Sequence, residues 1–227
     1  MSGVVIVTGA AGGLGQVYCR ALEDAGWTVV PSDIDDTDVT DRGSTEALAA
    51  RTLEHHGRID ALVNNAAFYS AIKKKPCDEI SDDEWNRVFD VNVRGAWLCA
   101  RAVAPAMKKQ GRGKIVNVSS MTVPTAPPGF AHYIASKAAI VGLTRALARE
   151  LGPYGVCVNT LTPDYIAFDR DYDNRQPEMA PALAAQRVFA REQQPEDMVG
   201  TLIYLVGPGS DFVTGQNIWV NGGRAFN

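Results

Sequence analysis

Short runs of β-branched and aliphatic residues alternate along the chain with longer stretches of helical periodicity, and this alternation predicts an α/β fold with a doubly wound parallel sheet. Two further observations point the same way. The strand candidates read as continuous Val, Ile and Leu runs rather than as apolar/polar alternation, the habit of strands buried on both faces under helices. The glycine-rich stretch "TGAAGGLG", Thr8 to Gly15, joins the first strand candidate to the first helix candidate.

In chain order, "VVIVTG" (Val4 to Gly9) is the first strand and "GQVYCRALEDAG" (Gly15 to Gly26) the first helix, followed by the strand "TVVPSD" (Thr28 to Asp33). "STEALAARTLEHHG" reads as helix and "IDALVNNA" as strand. A helix from about Asp82 to Lys109 leads to the strand "KIVNVSS" (Lys114 to Ser120), and a helix from about Phe130 to Leu151 leads to "VCVNTLTP" (Val156 to Pro163). A helix from about Pro195 to Val206 and the strand "NIWVNGG" (Asn217 to Gly223) complete the alternation. With no repeat, low-complexity linker or break in composition, residues 1–227 read as a single domain. The least regular part, Asp164 to Ala190, is a lid-like insertion near 164–190. It follows the C-terminal end of a strand, where open sheets bind ligands.

Composition narrows the function. Apolar residues make up 46% and charged ones 21%, enough to bury a sizeable core, and 22 basic against 26 acidic residues leave a net charge of −4. No basic cluster is longer than Lys73 to Lys75, which argues against nucleic acid and anionic membranes as partners. Cys19, Cys77, Cys99 and Cys157 lie far apart, with no CxxC pair and no neighbouring histidine. That spacing argues against zinc, against any other metal site and against a disulfide framework, and implies a reducing compartment. No signal peptide is expected from the N-terminal residues, and no segment approaches the roughly 20 apolar residues of a membrane span, so the cytoplasm is the expected location.

The chemistry-bearing residues fall into two groups. In the glycine turn, residues without side chains let the backbone approach a pyrophosphate, and the start of the next helix offers unpaired N–H groups to it. Asp33, 24 positions after Gly9, is placed to accept hydrogen bonds from ribose hydroxyls and to repel a 2′-phosphate, which favours NAD over NADP. Tyr133 and Lys137 form the second group: spaced i, i+4, they share one helix face. A phenol titrates near pH ~10 and an adjacent ammonium brings it toward the useful range of a general base. Ser119 and Ser120 at the preceding strand end point to opposite faces, and alternation alone does not choose between them.

These residues carry a resemblance. The chain is similar over nearly its whole length to the short-chain dehydrogenases/reductases, with the Rossmann fold that this implies. It matches in "TGAAGGLG", "NNAA" (Asn64 to Ala67), "VNV" around Asn92, "VNVSS" ending at Ser120, "YIASK" (Tyr133 to Lys137), "VNTLTP" ending at Pro163 and "FVTGQNIWVNGG". The resemblance implies a catalytic set of Asn92, Ser120, Tyr133 and Lys137. Tyr133 would be the base, Ser120 would bind the substrate oxygen, Lys137 would also bind the nicotinamide ribose, and Asn92 would hold a water linking Lys137 to solvent. It also implies cofactor contacts at Gly9, Ala11, Gly12, Gly13, Leu14, Gly15, Asp33, Asp38, Val39, Asn65, Ala66, Ala67, Tyr133, Lys137, Pro163 and Ile166. Assembly into a homo-oligomer, a dimer or tetramer, through the helices of Asn92 and Tyr133 follows from the same likeness.

Three departures from the family stand out. Only "IDDT" separates the second strand from "DVTD", where the family usually has a helix and most of another strand. Ala67 stands where the family turn has glycine, and "PDYIAF" replaces PGxIxT, with Asp164 for the glycine and Phe168 for the threonine. Around the expected pocket, Ser120, Met121, Phe130, Tyr133, Tyr165 and Phe168 are the substrate-binding candidates, and no Arg or Lys besides Lys137 is expected there. The expected activity is oxidation of a small cyclic or aromatic secondary alcohol to its ketone with NAD. The alternatives are an NADPH-type carbonyl or 3-oxoacyl-thioester reductase and a non-catalytic nucleotide-binding regulator.

Overall fold

The structure, a computed structural model, describes residues 3–166 and 179–226. Its strands are β1 (Val4–Thr8), β2 (Thr28–Ser32), β3 (Ala61–Asn64), β4 (Gly113–Val118), β5 (Val156–Pro163) and β6 (Asn217–Val220). They form one sheet in the order β2-β1-β3-β4-β5-β6, and every pairing is parallel. The continuous apolar runs have the physical cause expected of them, since successive residues of a strand face opposite layers. Ile6, Leu62 and Ile115 enter one core with Leu48 of α2 (Arg42–His56) and Cys99, Val103 and Met107 of α4 (Ala96–Gln110). Their neighbours Val5, Val7, Val63 and Val116 enter the other, with Tyr18 and Leu22 of α1 (Gly13–Asp24) and Leu202 and Leu205 of α8 (Val199–Val206).

The strand order reverses between β1 and β3, and this is where an open sheet leaves a crevice at its C-terminal edge. Beyond β2 no further strand occurs among the described residues, so Pro31 lies on an edge, the place in a sheet where a missing N–H is tolerated. The chain then turns at once, Thr37 N donating to Asp33 O (2.8 Å), and Asp41 caps α2 by accepting from Ser44 N.

The structure departs from the sequence reading in detail. The helix expected over Asp82–Lys109 is two helices, α3 (Asp82–Phe89) and α4, joined by a wider π-wound stretch at Asp90–Gly95. A short α5 (Thr122–Thr125) follows β4, ahead of the long α6 (Ala131–Leu151). Of the insertion near 164–190, residues 167–178 lie outside the described residues, and α7 (Met179–Ala184) packs beside the pocket.

One close approach fixes the first strand–turn–helix unit. A Cβ at Gly15 would lie 2.0 Å from Gly9 O and 2.8 Å from Ala10 Cα, and both are backbone atoms that cannot swing aside. Gly9 itself has φ +65°, with the Ala66 Cα 2.8 Å from where its Cβ would stand. Gly15→Ala should therefore cost about 3 kcal/mol or more, read as a fall in melting temperature of roughly 6–12 °C by calorimetry. A melting point within 2 °C of wild type would show that the turn relaxes.

Candidate active site

Two adjoining hollows open at the C-terminal edge of the sheet. The first lies on the glycine turn and is lined by Gly9, Ala11, Gly12, Gly13, Asp33, Asp38, Val39, Asn65 and Ala66. Leu14, Ala67 and Tyr69 belong to this hollow and to the next. Gly15, grouped with the cofactor contacts from sequence, does not line it; that glycine serves the packing of α1 on β1, as the Cβ distances show. The "NNAA" turn is braced onto the end of β1. Asn65 Nδ2 donates to Thr8 O and Gly9 O (both 3.1 Å), and Thr8 Oγ1 accepts from Ala66 N (3.1 Å). Ala67 does not have a positive φ, so its methyl group is accommodated without strain. The Asp33 carboxylate closes the far side of the turn, accepting from Ala11 N (2.7 Å) and Ile34 N (2.8 Å).

The second hollow, a cavity of about 260 Å³, brings together Ser120, Met121, Phe130, Tyr133, Lys137, Pro163, Tyr165 and Ile166. Phe168 lies outside the described residues. Here the two serines separate. Ser119 is buried and its hydroxyl donates to Lys137 O (2.9 Å), whereas Ser120 is half-buried, lines the cavity and hydrogen-bonds the Tyr133 hydroxyl.

Lys137 is 3% exposed, and its Nζ donates to Val118 O (2.9 Å), 5.8 Å from the centre of the Tyr133 ring. Burial lowers its pKa to about 8. Burial, chiefly, pushes the Tyr133 phenol well above its ordinary value, the Tyr69 phenol adds to this, and the hydrogen bond from Ser120 opposes it. The Tyr69 ring stands 4.8 Å from that of Tyr133, centre to centre.

Asn92 lines neither hollow. It sits buried in the π-wound stretch, where its Oδ1 accepts from Phe68 N (2.7 Å) and its Nδ2 donates to Ser136 Oγ (3.0 Å), tying the loop after β3 to α6.

Residues 30–225 match the family model described as enoyl-(acyl carrier protein) reductase. The chain belongs to the short-chain dehydrogenase/reductase family. Among short-chain dehydrogenases/reductases it is 34% identical to a cyclopentanol dehydrogenase of Comamonas sp. (strain NCIMB 9872), over 99% of this chain and 97% of that one. It is 35% identical to an acetoacetyl-CoA reductase of Acinetobacter sp. (strain RA3849), over 97% and 96%. A gluconate 5-dehydrogenase from Burkholderia cenocepacia J2315, solved with NADP and tartrate, superposes with a TM-score of 0.86 at 27% identity, covering 98% of this chain and 95% of that one. The family transfers hydride between a nicotinamide cofactor and an alcohol or ketone, and this short-chain dehydrogenase/reductase is an oxidoreductase of that kind.

As a short-chain dehydrogenase/reductase it is unusual at Asp164. The carboxylate is buried, and two arginines hold it: Arg187 Nε donates to Oδ2 (3.0 Å) and Arg224 donates to Oδ1 (2.6 Å). Arg224 and Lys74 both line the second hollow, which corrects the expectation of no cation there besides Lys137. Neither was visible from sequence, because their positions depend on contacts with residues distant in the chain, Asp164 for Arg224 and Phe130 for Lys74.

The Lys137 pKa gives a prediction with a definite sign. Its folded value, about 8, lies below the unfolded value of roughly 10.4, so burying the charge costs stability at every pH below 8, and the cost disappears as pH rises from 8 to about 10.4. Lys137→Met, which also loses the bond to Val118 O, should raise the stability of the cofactor-free protein at pH 7 by roughly 1–2 kcal/mol. That gain should vanish by about pH 10, measured by urea unfolding at both values. A gain that does not change with pH would refute the buried-charge origin.

Proposed function

We propose that the chain is an NAD-dependent alcohol dehydrogenase that oxidises a small cyclic or aromatic secondary alcohol to its ketone. The observation that carries this reading is the convergence of Ser120, Tyr133 and Lys137 on a largely apolar cavity that adjoins the glycine-turn hollow. The hollow fits a dinucleotide by its chemistry: Gly9, Gly12 and Gly13 offer bare backbone at the start of α1, and a carboxylate waits at the far end. Gly9, Gly12, Gly13 and Asp33 would hold the dinucleotide, which would supply a hydride acceptor for the carbinol carbon, or a hydride donor in the reverse direction.

The protein's own residues manage the proton. Ser120 hydrogen-bonds the substrate oxygen, and Tyr133 takes the hydroxyl proton as base. Burial works against the phenolate, so the Lys137 ammonium is needed to bring Tyr133 into range. With a pKa near 8, Lys137 is still mostly charged at neutral pH. The Asn92 side chain is committed to Phe68 and Ser136, so the main chain of its wider helical turn is what remains to hold a water toward Lys137.

NAD is favoured by the balance of charge at the ribose end. Of the two arginines near that end, Arg51 is paired with Asp36 (2.5 Å) and Arg87 faces Asp38, which leaves the Asp33 carboxylate in excess against a 2′-phosphate. The apolar wall of Met121, Phe130 and Leu183 suits a small hydrocarbon body, in keeping with the activity named for the Comamonas relative. The likeness to an acetoacetyl-CoA reductase supports a second reading, reduction of a 3-oxoacyl thioester with NADPH, against which the Asp33 carboxylate stands. A cytoplasmic homo-oligomer completes the proposal. Trp85 and Trp97 are 40% and 42% exposed on α3 and α4, and no described helix is long and apolar enough to cross a membrane.

Tyr133→Phe should lower kcat by about 10³-fold or more while the Kd for NADH changes less than about 3-fold. Residual turnover within tenfold of wild type would remove Tyr133 as the base. Asp33→Ala should shrink the NAD over NADP preference by at least about tenfold in kcat/KM, a loss of roughly 1.4 kcal/mol. A wild type that uses NADP as well as NAD would overturn the cofactor assignment. An NADH-formation screen over cyclic, aromatic and polyol alcohols, run beside acetoacetyl thioesters with NADPH, separates the two readings.

A further inference from the structure

We infer that Arg224 is a specificity-determining residue that grips a carboxylate on the substrate, at the end of the molecule remote from the carbinol. The inference rests on the alcohol dehydrogenase reading above and narrows its substrate to a hydroxy acid with an apolar body. It starts from charge. Among the described residues one carboxylate in the wall of the hollow, Asp164, serves two guanidinium groups, which leaves one positive charge over. The two arginines are not equally spent. Arg187, its side chain 2% exposed, uses its whole fork: Nε donates to Asp164 Oδ2 (3.0 Å), one terminal nitrogen to Arg191 O (3.0 Å) and the other to Tyr165 O (3.0 Å). Arg224 donates from Nε to Gln186 Oε1 (3.2 Å) and from Nη1 to Asp164 Oδ1 (2.6 Å), which leaves its Nη2 with no acceptor among the described residues.

That guanidinium belongs to the wall of the same cavity as Ser120 and Tyr133, with its side chain 15% exposed. The unfilled Nη2 is not sealed within the protein, so an entering ligand can reach it, and a planar guanidinium is the group best matched to a carboxylate. The turn that carries Arg224 is fixed in place. Asn221 Nδ2 donates to Ala225 O (2.8 Å) and touches Met121 Sδ (3.6 Å), and Asn221 Oδ1 accepts from Gly223 N (2.9 Å). Through Asn221 on Met121 this turn is tied to the residue that follows Ser120, and Ser120, Met121 and Arg224 line the same cavity. A substrate seated there has its carbinol at Ser120 and Tyr133, its hydrocarbon on Met121 and Leu183, and its carboxylate on Arg224.

The test compares 3-hydroxycyclohexane-1-carboxylate with 3-methylcyclohexanol, following NADH formation. Wild type should favour the carboxylate by about tenfold or more in kcat/KM. Arg224→Met should bring that ratio near one, mainly through KM, and Arg224→Lys should recover part of it. A general loosening of the wall lowers both substrates together and leaves the ratio unchanged. A ratio near one in wild type, or one that survives Arg224→Met, overturns the inference. Should neither alcohol be oxidised, it is the dehydrogenase reading that fails for substrates of this kind. Calorimetric titration of cyclohexanecarboxylate into the NADH-loaded protein then decides the arginine: binding about tenfold tighter to wild type than to Arg224→Met upholds it, and equal affinity overturns it.

Discussion

The site depends on keeping the Lys137 ammonium out of water beside a phenol, and much of the structure serves to hold α6 in the one rotation that achieves this. Its buried residues are His132, Tyr133, Ser136, Lys137, Ile140, Thr144, Ala148 and Leu151, and apart from the adjacent pairs His132–Tyr133 and Ser136–Lys137 they recur every three or four positions. The lower part of this buried set is core and the upper part is chemistry. Apolar packing alone would let such a helix turn or slide by a fraction of a residue. A buried polar chain prevents it: Asn64 Nδ2 donates to Asn117 Oδ1 (2.8 Å), Asn117 Nδ2 to Thr144 Oγ1 (2.9 Å), and Thr160 Oγ1 to Thr144 Oγ1 (2.8 Å). These bonds link β3, β4, β5 and α6, and a buried network with its partners in place is rigid and specific to one geometry. The Ser119 hydroxyl on Lys137 O adds the last tie, so the end of β4 fixes the helix while Ser120, the next residue, faces the cavity.

The shortened link after β2 shows how an enzyme can lose an edge strand and keep its cofactor hollow. What replaces it is welded down. Thr37 is buried, and the Asp36 carboxylate takes a hydrogen bond from Thr37 and an ion pair from Arg51. Val39 is buried against the start of α4, where only a glycine leaves it room: a Cβ on Gly95 would come within 2.8 Å of the valine side chain. The pocket wall formed by Asp38 and Val39 is thus held by the core rather than by a neighbouring strand.

Most of the fold was legible in the sequence because burial on both faces writes itself as unbroken aliphatic runs, and the glycine turn writes itself as residues without side chains. Six strands in one parallel sheet follow from those two signals. The break at Asp90–Gly95 was not legible, since the apolar pattern of α3 and α4 runs straight through it and one extra residue in a turn leaves no mark on composition. Strand alternation could not choose Ser120 over Ser119; the family resemblance chose it, and the structure supplies the physical reason in the Ser119 bond to Lys137 O, 18 positions away. The Asp164 cluster was further out of reach: Asp164 and Arg224 are 60 positions apart, and charged residues in a polar tail look solvated until the fold buries them. Sequence flagged Asp164 as a departure without showing what it was for.

The ion pairs of this protein sort into two kinds, and the sorting bears on where function lies. Arg51 with Asp36 and Arg191 with Asp197 are matched one to one near solvent, and where Asp60 serves both Arg58 and Arg112 the second guanidinium is exposed to water, so such pairs change little beyond local packing when removed whole. Lys137 and the Asp164 cluster are different, because among the described residues Lys137 has no carboxylate partner and Asp164 must serve two guanidinium groups in a largely buried wall. A fold gains nothing from uncompensated buried charge, and hydrophobic replacements of similar volume are commonly more stable. Charge kept under those terms is kept for something that arrives from outside. At Lys137 the proposed answer is the substrate proton handled with Tyr133, and at Arg224 it is the proposed substrate carboxylate. The two cations stand in the wall of one cavity, Lys137 beside the Tyr133 ring and Arg224 on the Asp164 carboxylate.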